Sequence, residues 1–173
     1  MNYFELYKMP VGFVIDESAL KRKFYALSKE YHPDFYTLES EEKQAEILRL
    51  STLNNEAYHT LKDADRRMKY VLELKEALAE EGQNKLPPDF LMEMMELNEA
   101  LMELEIDGTP GAVATVQQQL EEKEAELYAA VAPLLTGYEE DSETDADLKG
   151  VVDYYLKKRY LLRIRENLGK FAV

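Results

Sequence analysis

The sequence predicts an all-α protein in two helical units, residues 1–77 and 88–173, joined by a linker over 78–87. Apolar side chains recur at intervals of three and four almost throughout, the period of a helix that buries one face. Only seven glycines and six prolines interrupt 173 residues, so the breaks are few and easily placed. Hydrophobic residues make up 46% and charged residues 32%, a composition that folds into a globular core rather than staying disordered.

A short first helix is expected from Tyr3 to about Lys8, stopped by Pro10 and Gly12. Asp16 caps the second helix, with Ile15 and Leu20 standing where a hydrophobic staple packs. Along it Leu20, Phe24, Leu27 and Tyr31 form the core stripe. Pro33 pushes His32 out of helical backbone space, so this helix stops at Tyr31 or His32. The third helix runs from about Glu41 to Leu61, with Ile47, Leu50, Asn54, Ala57, Tyr58 and Leu61 near one face. Asp63 or Asp65 opens a fourth, through Tyr70, Leu72 and Leu74.

Polar, glycine-containing sequence then leads to Pro87-Pro88 and reads as the linker. Beyond it three more helices are expected. The first spans about Pro88 to Ile106 and is broken by Asp107-Gly108-Thr109-Pro110. Thr109 caps the next, which has proline at its first position and Val113, Val116, Leu120, Leu127, Val131 and Leu134 as its apolar residues. Gly137 ends it. An acidic loop from Glu139 to Asp147 precedes a final helix from about Leu148 to Leu168.

Formal net charge is −14, from 35 acidic and 21 basic side chains, which argues against nonspecific binding to nucleic acid. No apolar run approaches the length of a membrane span, and Met1-Asn2-Tyr3-Phe4 does not open a charged-then-apolar leader. Without cysteine there is no disulfide, thiolate metal site or iron–sulfur ligand. A cytoplasmic setting is expected.

His32-Pro33-Asp34 stands on a connection between two helices, where polar residues serve recognition better than packing. At about 100° per residue, Lys21, Arg22 and Lys29 point away from the core stripe of the preceding helix. Read singly, such basic side chains solvate a helix surface. Beside the corner they form a basic face that steers an acidic partner toward the Asp34 carboxylate. His32 has no second metal ligand or nucleophile near it in sequence, and His59 is expected to be an ordinary helix-surface residue.

In the helix after Pro88, residues Phe90, Met94, Leu97, Leu101 and Leu104 form the core seam. Leu91, Met95 and Met102 project on a flank, with Met92, Glu96, Glu99 and Glu103 on the far side. The seam alone cannot bury so many apolar side chains. Either neighbouring helices cover Leu91 and Met95, or a partner does. A di-metal bundle needs Glu-x-x-His on at least two helices, which this sequence does not supply, and no Gly-rich phosphate loop, G-x-S-x-G, H-E-x-x-H or EF-hand loop occurs, which disfavours an enzyme.

Taken together, Tyr3-Phe4, the Leu20–Tyr31 helix, His32-Pro33-Asp34, Asn54-x-x-Ala-Tyr-x-x-Leu61 and Arg67-x-x-Tyr70-x-Leu72 resemble a J-domain in full order. The second unit, opening Phe90-Leu91-Met92-Glu93, resembles the C-terminal domain of the HscB family, the J-type co-chaperones of iron–sulfur cluster assembly. That resemblance implies a J-domain helical hairpin followed by a three-helix bundle, in an L-shaped two-domain arrangement. It further implies that His32, Pro33 and Asp34, supported by Lys21, Arg22 and Lys29, engage an HscA/DnaK-type ATPase chaperone. Leu91, Met92, Met95, Glu96, Glu99 and Glu103 would hold an IscU-type iron–sulfur scaffold protein, with Tyr160 as an aromatic contact from the last helix. No catalytic residue, cofactor, resident metal, nucleic acid or membrane is implied.

Some positions depart from the family pattern. Tyr25 and Ala26 stand where many J-domains carry basic residues, so partner specificity need not be that of general J-proteins. Asp63-Ala64 replaces the usual Asp-Pro turn, which affects loop rigidity. The lack of a Gly/Phe-rich linker and of C-x-x-C-x-G-x-G repeats separates the chain from generic DnaJ chaperones. A J-domain co-chaperone delivering a different client is the alternative, since the second unit alone sets the cargo.

Overall fold

The computed structural model describes residues 1–141 and 145–171, the side chains of residues 145 and 146 excepted. Among the described residues seven α-helices follow in order: α1 (Tyr3–Leu6), α2 (Glu17–Glu30), α3 (Glu41–Leu61), α4 (Ala64–Leu74), α5 (Pro88–Ile106), α6 (Pro110–Thr136) and α7 (Asp145–Gly169). A 3₁₀ turn, Pro33–Tyr36, stands between α2 and α3. Contacts divide the chain into two compact units, Met1–Lys75 with a return segment that begins at Tyr138, and Glu76–Gly137 with α7.

In the first unit α2 and α3 pack as a hairpin, with α1 and α4 against α3. Phe4, Leu20, Ile47, Ala57, Leu61, Val71 and Leu72 are almost wholly buried. Phe24, Leu27 and Tyr31 lie half-buried along α2, so the stripe read from the sequence is the packed side of that helix. Two polar side chains are buried among these apolar ones. Asn54 accepts a hydrogen bond from the Tyr7 hydroxyl at 2.7 Å and donates through Nδ2 to the Ser28 hydroxyl at 3.1 Å and the Phe24 carbonyl at 3.3 Å. Arg67 donates from Nε to the Phe13 carbonyl at 2.8 Å and from Nη1 to the Leu61 carbonyl at 2.5 Å. Burial pulls the Arg67 guanidinium below its ordinary pKa, opposed by the charges of Glu17 and Asp63.

Side-chain caps account for the starts of α2 and α4. The Asp16 carboxylate accepts from the Ala19 N–H at 3.0 Å, and Asp63 accepts from both Asp65 and Arg66. Asp63 is therefore the cap of α4, which decides between the two starts the sequence left open. Replacing Asp16 with alanine is expected to destabilise the first unit by about 1 kcal/mol, the usual loss of an N-cap. A urea midpoint for that unit equal to the parent's would contradict this.

The second unit is a three-helix bundle. Its core joins Phe90, Met94, Leu97 and Leu104 of α5 to Val116 and Leu120 of α6 and Leu161, Ile164 and Leu168 of α7, with Leu101 half-buried against them. Two boundaries, one packing position and one loop segment differ from expectation. α1 ends at Leu6, where Tyr7 turns inward to reach Asn54. Leu135 rather than Leu134 is the buried residue at the end of α6, four residues after buried Val131 on the same face. α7 begins at Asp145, inside the expected acidic loop; residues 142–144 of that loop lie outside the described residues. By sequence, Tyr138 and the acidic loop that follows it fall in the second unit. Instead the segment from Tyr138 groups with the first unit, where the Tyr138 ring meets Phe13 edge-on at 5.0 Å and Lys75 pairs with Glu140 at 2.6 Å.

Candidate functional site

Two exposed surfaces, one on each unit, hold the residues singled out by sequence. On the first unit α2 ends at Glu30 because Pro33 cannot continue it, and the chain turns through a single 3₁₀ turn. His32 is the cap of that turn. Its Nδ1 accepts from the Asp34 N–H at 3.3 Å, which leaves Nε2 as the ring's donor. The Asp34 carboxylate points to solvent, 3.8 Å from the same ring nitrogen. Tyr36 reaches back, donating from its hydroxyl to the Glu30 carbonyl at 2.8 Å, and the loop is thereby closed onto the end of α2.

Lys21, Arg22 and Lys29 are all exposed on α2, and none has an ion-pair partner among the described residues. Lys23 differs. Its ammonium donates to the Tyr7 carbonyl at 2.6 Å and so ties α2 to the end of α1. Sequence reasoning overlooked Phe35 and Leu38, both exposed beside the corner. Two apolar residues within an otherwise polar connection were the signal that would have found them.

On the second unit the seam of α5 is buried and its flank is not. Leu91 is 43% exposed, Met92 68%, Met95 59% and Met102 66%. Neither α6 nor α7 covers them. Glu96, Glu99 and Glu103 are exposed beside this patch and have no ion-pair partner among the described residues. Glu93, by contrast, turns toward α6 and pairs with Lys123, which also contacts Glu126 at 3.5 Å. Burial alone would lower the Lys123 pKa, but the two carboxylates outweigh it and raise the pKa.

Tyr160 lies half-buried between α7 and α5. Its ring meets Phe90 edge-on at 5.6 Å, and its hydroxyl accepts from Asn98 Nδ2 at 2.7 Å. It therefore borders the Leu91/Met95 patch. An open groove of about 550 Å³ between α6 and α7, lined by Tyr128, Tyr154 and Leu162 among others, includes none of the predicted site residues. No group of three or more His, Cys, Asp and Glu side chains is placed to hold a metal ion among the described residues. Nor is any helix there long and apolar enough to cross a membrane.

The family model described as the HSCB C-terminal oligomerisation domain matches residues 86–169. A co-chaperone protein HscB homolog of Shewanella amazonensis is 31% identical over 172 residues, covering 98% of this chain and 96% of the relative. One from Vibrio cholerae is 42% identical over 113 residues, covering 65% of this chain and 66% of the relative. Among solved structures, chaperone HscB from Vibrio cholerae superposes with a TM-score of 0.69 at 29% identity, covering 98% of this chain and 96% of that one. Human co-chaperone protein HscB superposes with a TM-score of 0.76 at 25% identity, covering 100% of this chain and 83% of that one. With a relative above 30% identity along nearly its whole length and a matching C-terminal domain, this chain belongs to the HscB co-chaperone family.

Proposed function

We propose that this protein is a two-ended adaptor. Its J-domain corner, His32-Pro33-Asp34, binds an HscA/DnaK-type chaperone and stimulates that partner's ATPase, with Lys21, Arg22 and Lys29 steering the approach. Its α5 surface, comprising Leu91, Met92, Met95, Glu96, Glu99 and Glu103 with Tyr160 beside them, carries an IscU-type iron–sulfur scaffold protein to the chaperone. One observation supports the reading: each of two units of one chain exposes side chains from the set named above that its own core leaves uncovered.

The adaptor hydrolyses nothing itself. By binding one conformation of the chaperone more tightly than another, it biases an equilibrium that ends in ATP hydrolysis. The corner suits that task because Pro33 and the closing Tyr36 hydrogen bond hold it in shape before contact. On α5 the solvent-facing Leu and Met side chains supply binding energy, and the flexible thioethers adapt to the partner's shape.

The direct test uses one preparation of the full chain for both ends. Scaffold is captured on immobilised chain, and the ATPase rate of the chaperone is measured with and without chain. Scaffold retention together with a raised ATPase rate is the expected result. Stimulation without retention of the scaffold would favour delivery of a different client, and retention without stimulation would overturn the J-domain assignment.

A further inference from the structure

Charge in the second unit is segregated by helix. Between Asp89 and Asp107 there are seven acidic residues and no basic one; between Lys149 and Lys170 there are seven basic residues and two acidic. α7 therefore brings a basic strip to the bundle whose α5 displays uncompensated carboxylates. Most of that strip is already engaged. Arg165 pairs with Glu124 at 2.5 Å, Lys157 lies over the Phe90 ring at 5.6 Å, and Arg159 is turned to the Tyr155 ring at 5.7 Å.

Arg163 also lies over a ring, but that ring belongs to Tyr160, whose hydroxyl is hydrogen-bonded to α5. Arg163 is exposed, has no carboxylate partner among the described residues, and lies over the Tyr160 ring at 6.0 Å. Tyr160 in turn is hydrogen-bonded to Asn98, which stands three residues after Met95 and seven after Leu91 and so shares their helix face. Across the surface the order is therefore carboxylates, Leu and Met side chains, Tyr160, then Arg163. A guanidinium stacked on an aromatic face keeps its N–H edge free for a bidentate carboxylate.

We propose that Arg163 forms a basic edge of the α5 docking surface. The surface then fits a partner protein whose contact face places an apolar centre between basic side chains on one side and a carboxylate on the other. This rests on α5 being the scaffold-docking helix. Opposed charged edges fix the orientation of the docked partner, which apolar contacts alone do not.

The test is calorimetric titration of the full-length chain with a purified IscU-type scaffold protein at low and moderate salt. Arg163→Glu is expected to weaken binding roughly tenfold and Arg163→Lys by no more than about threefold, the pattern of a charged rim contact. In Arg163→Ala the dependence of affinity on salt becomes shallower than in the parent, a change that lost packing alone would not produce. Leu91→Ala/Met95→Ala serves as the reference. If that variant binds weakly while Arg163→Glu binds like the parent, the basic edge is wrong and α5 docking stands. Weak binding by Arg163→Glu with unchanged salt dependence in Arg163→Ala also overturns the edge. If Leu91→Ala/Met95→Ala binds as tightly as the parent, the α5 reading itself fails.

Discussion

Replacing His32 with glutamine is expected to return the chaperone's ATPase to its unstimulated rate while leaving the fold of this protein intact. His32 is exposed, and among the described residues the one hydrogen bond its imidazole makes is the long contact from the Asp34 N–H. Surface changes of that kind alter stability by no more than about 0.5 kcal/mol. What glutamine removes is the imidazole and the fixed direction in which it presents its second nitrogen. The corner is small and held by Pro33, so little else of the turn compensates for that loss. The measurement pairs an ATPase assay with circular dichroism and thermal unfolding of the same sample. Full stimulation by a folded His32→Gln protein would remove the corner from the mechanism.

Arg67→Ala is expected to act in the opposite way, through stability. Arg67 is only 6% exposed, and its guanidinium joins three pieces of the first unit: α4, the last carbonyl of α3 and the Phe13 carbonyl before α2. Removing it leaves two carbonyls without their donors and a void where the side chain lay. Each buried acceptor left unsatisfied costs about 1–3 kcal/mol, so a loss of about 3 kcal/mol is expected. Hydrogen exchange of the α3 amides reads this within one unit, where about 3 kcal/mol corresponds to exchange more than roughly a hundredfold faster. Unchanged protection of α3 would show that water replaces the guanidinium at little cost. Arg67→Lys is not a rescue, because one ammonium on a thinner stem does not reproduce the planar fork.

The helices were legible because their signals are local. Asp16, Asp63 and Thr109 cap α2, α4 and α6, and their cap hydrogen bonds span two or three residues. The seam Phe90, Met94, Leu97 and Leu104 was legible for the same reason, since a helix's apolar period names its buried face whatever packs there. Boundaries were missed where a distant residue intervened. Tyr7 leaves α1 early to meet Asn54, 47 positions away, and no local rule anticipates that contact.

The candidate surfaces divide along the same line. That His32-Pro33-Asp34 interrupts two helices follows from proline chemistry and could be read directly. Whether Leu91 and Met95 face solvent could not, because a flank of α5 lies uncovered only if both α6 and α7 pack elsewhere. The same holds for Arg163, one cation among seven in its segment until Tyr160 and Asn98 place it beside the patch. The sequence by itself determined that the chain is helical, where most helices lie and which face each buries, and the family. Only the tertiary structure decided which remaining faces stay open and which charges stay unpaired, because those depend on how neighbouring helices pack, and the period of a single helix does not encode its neighbours' positions.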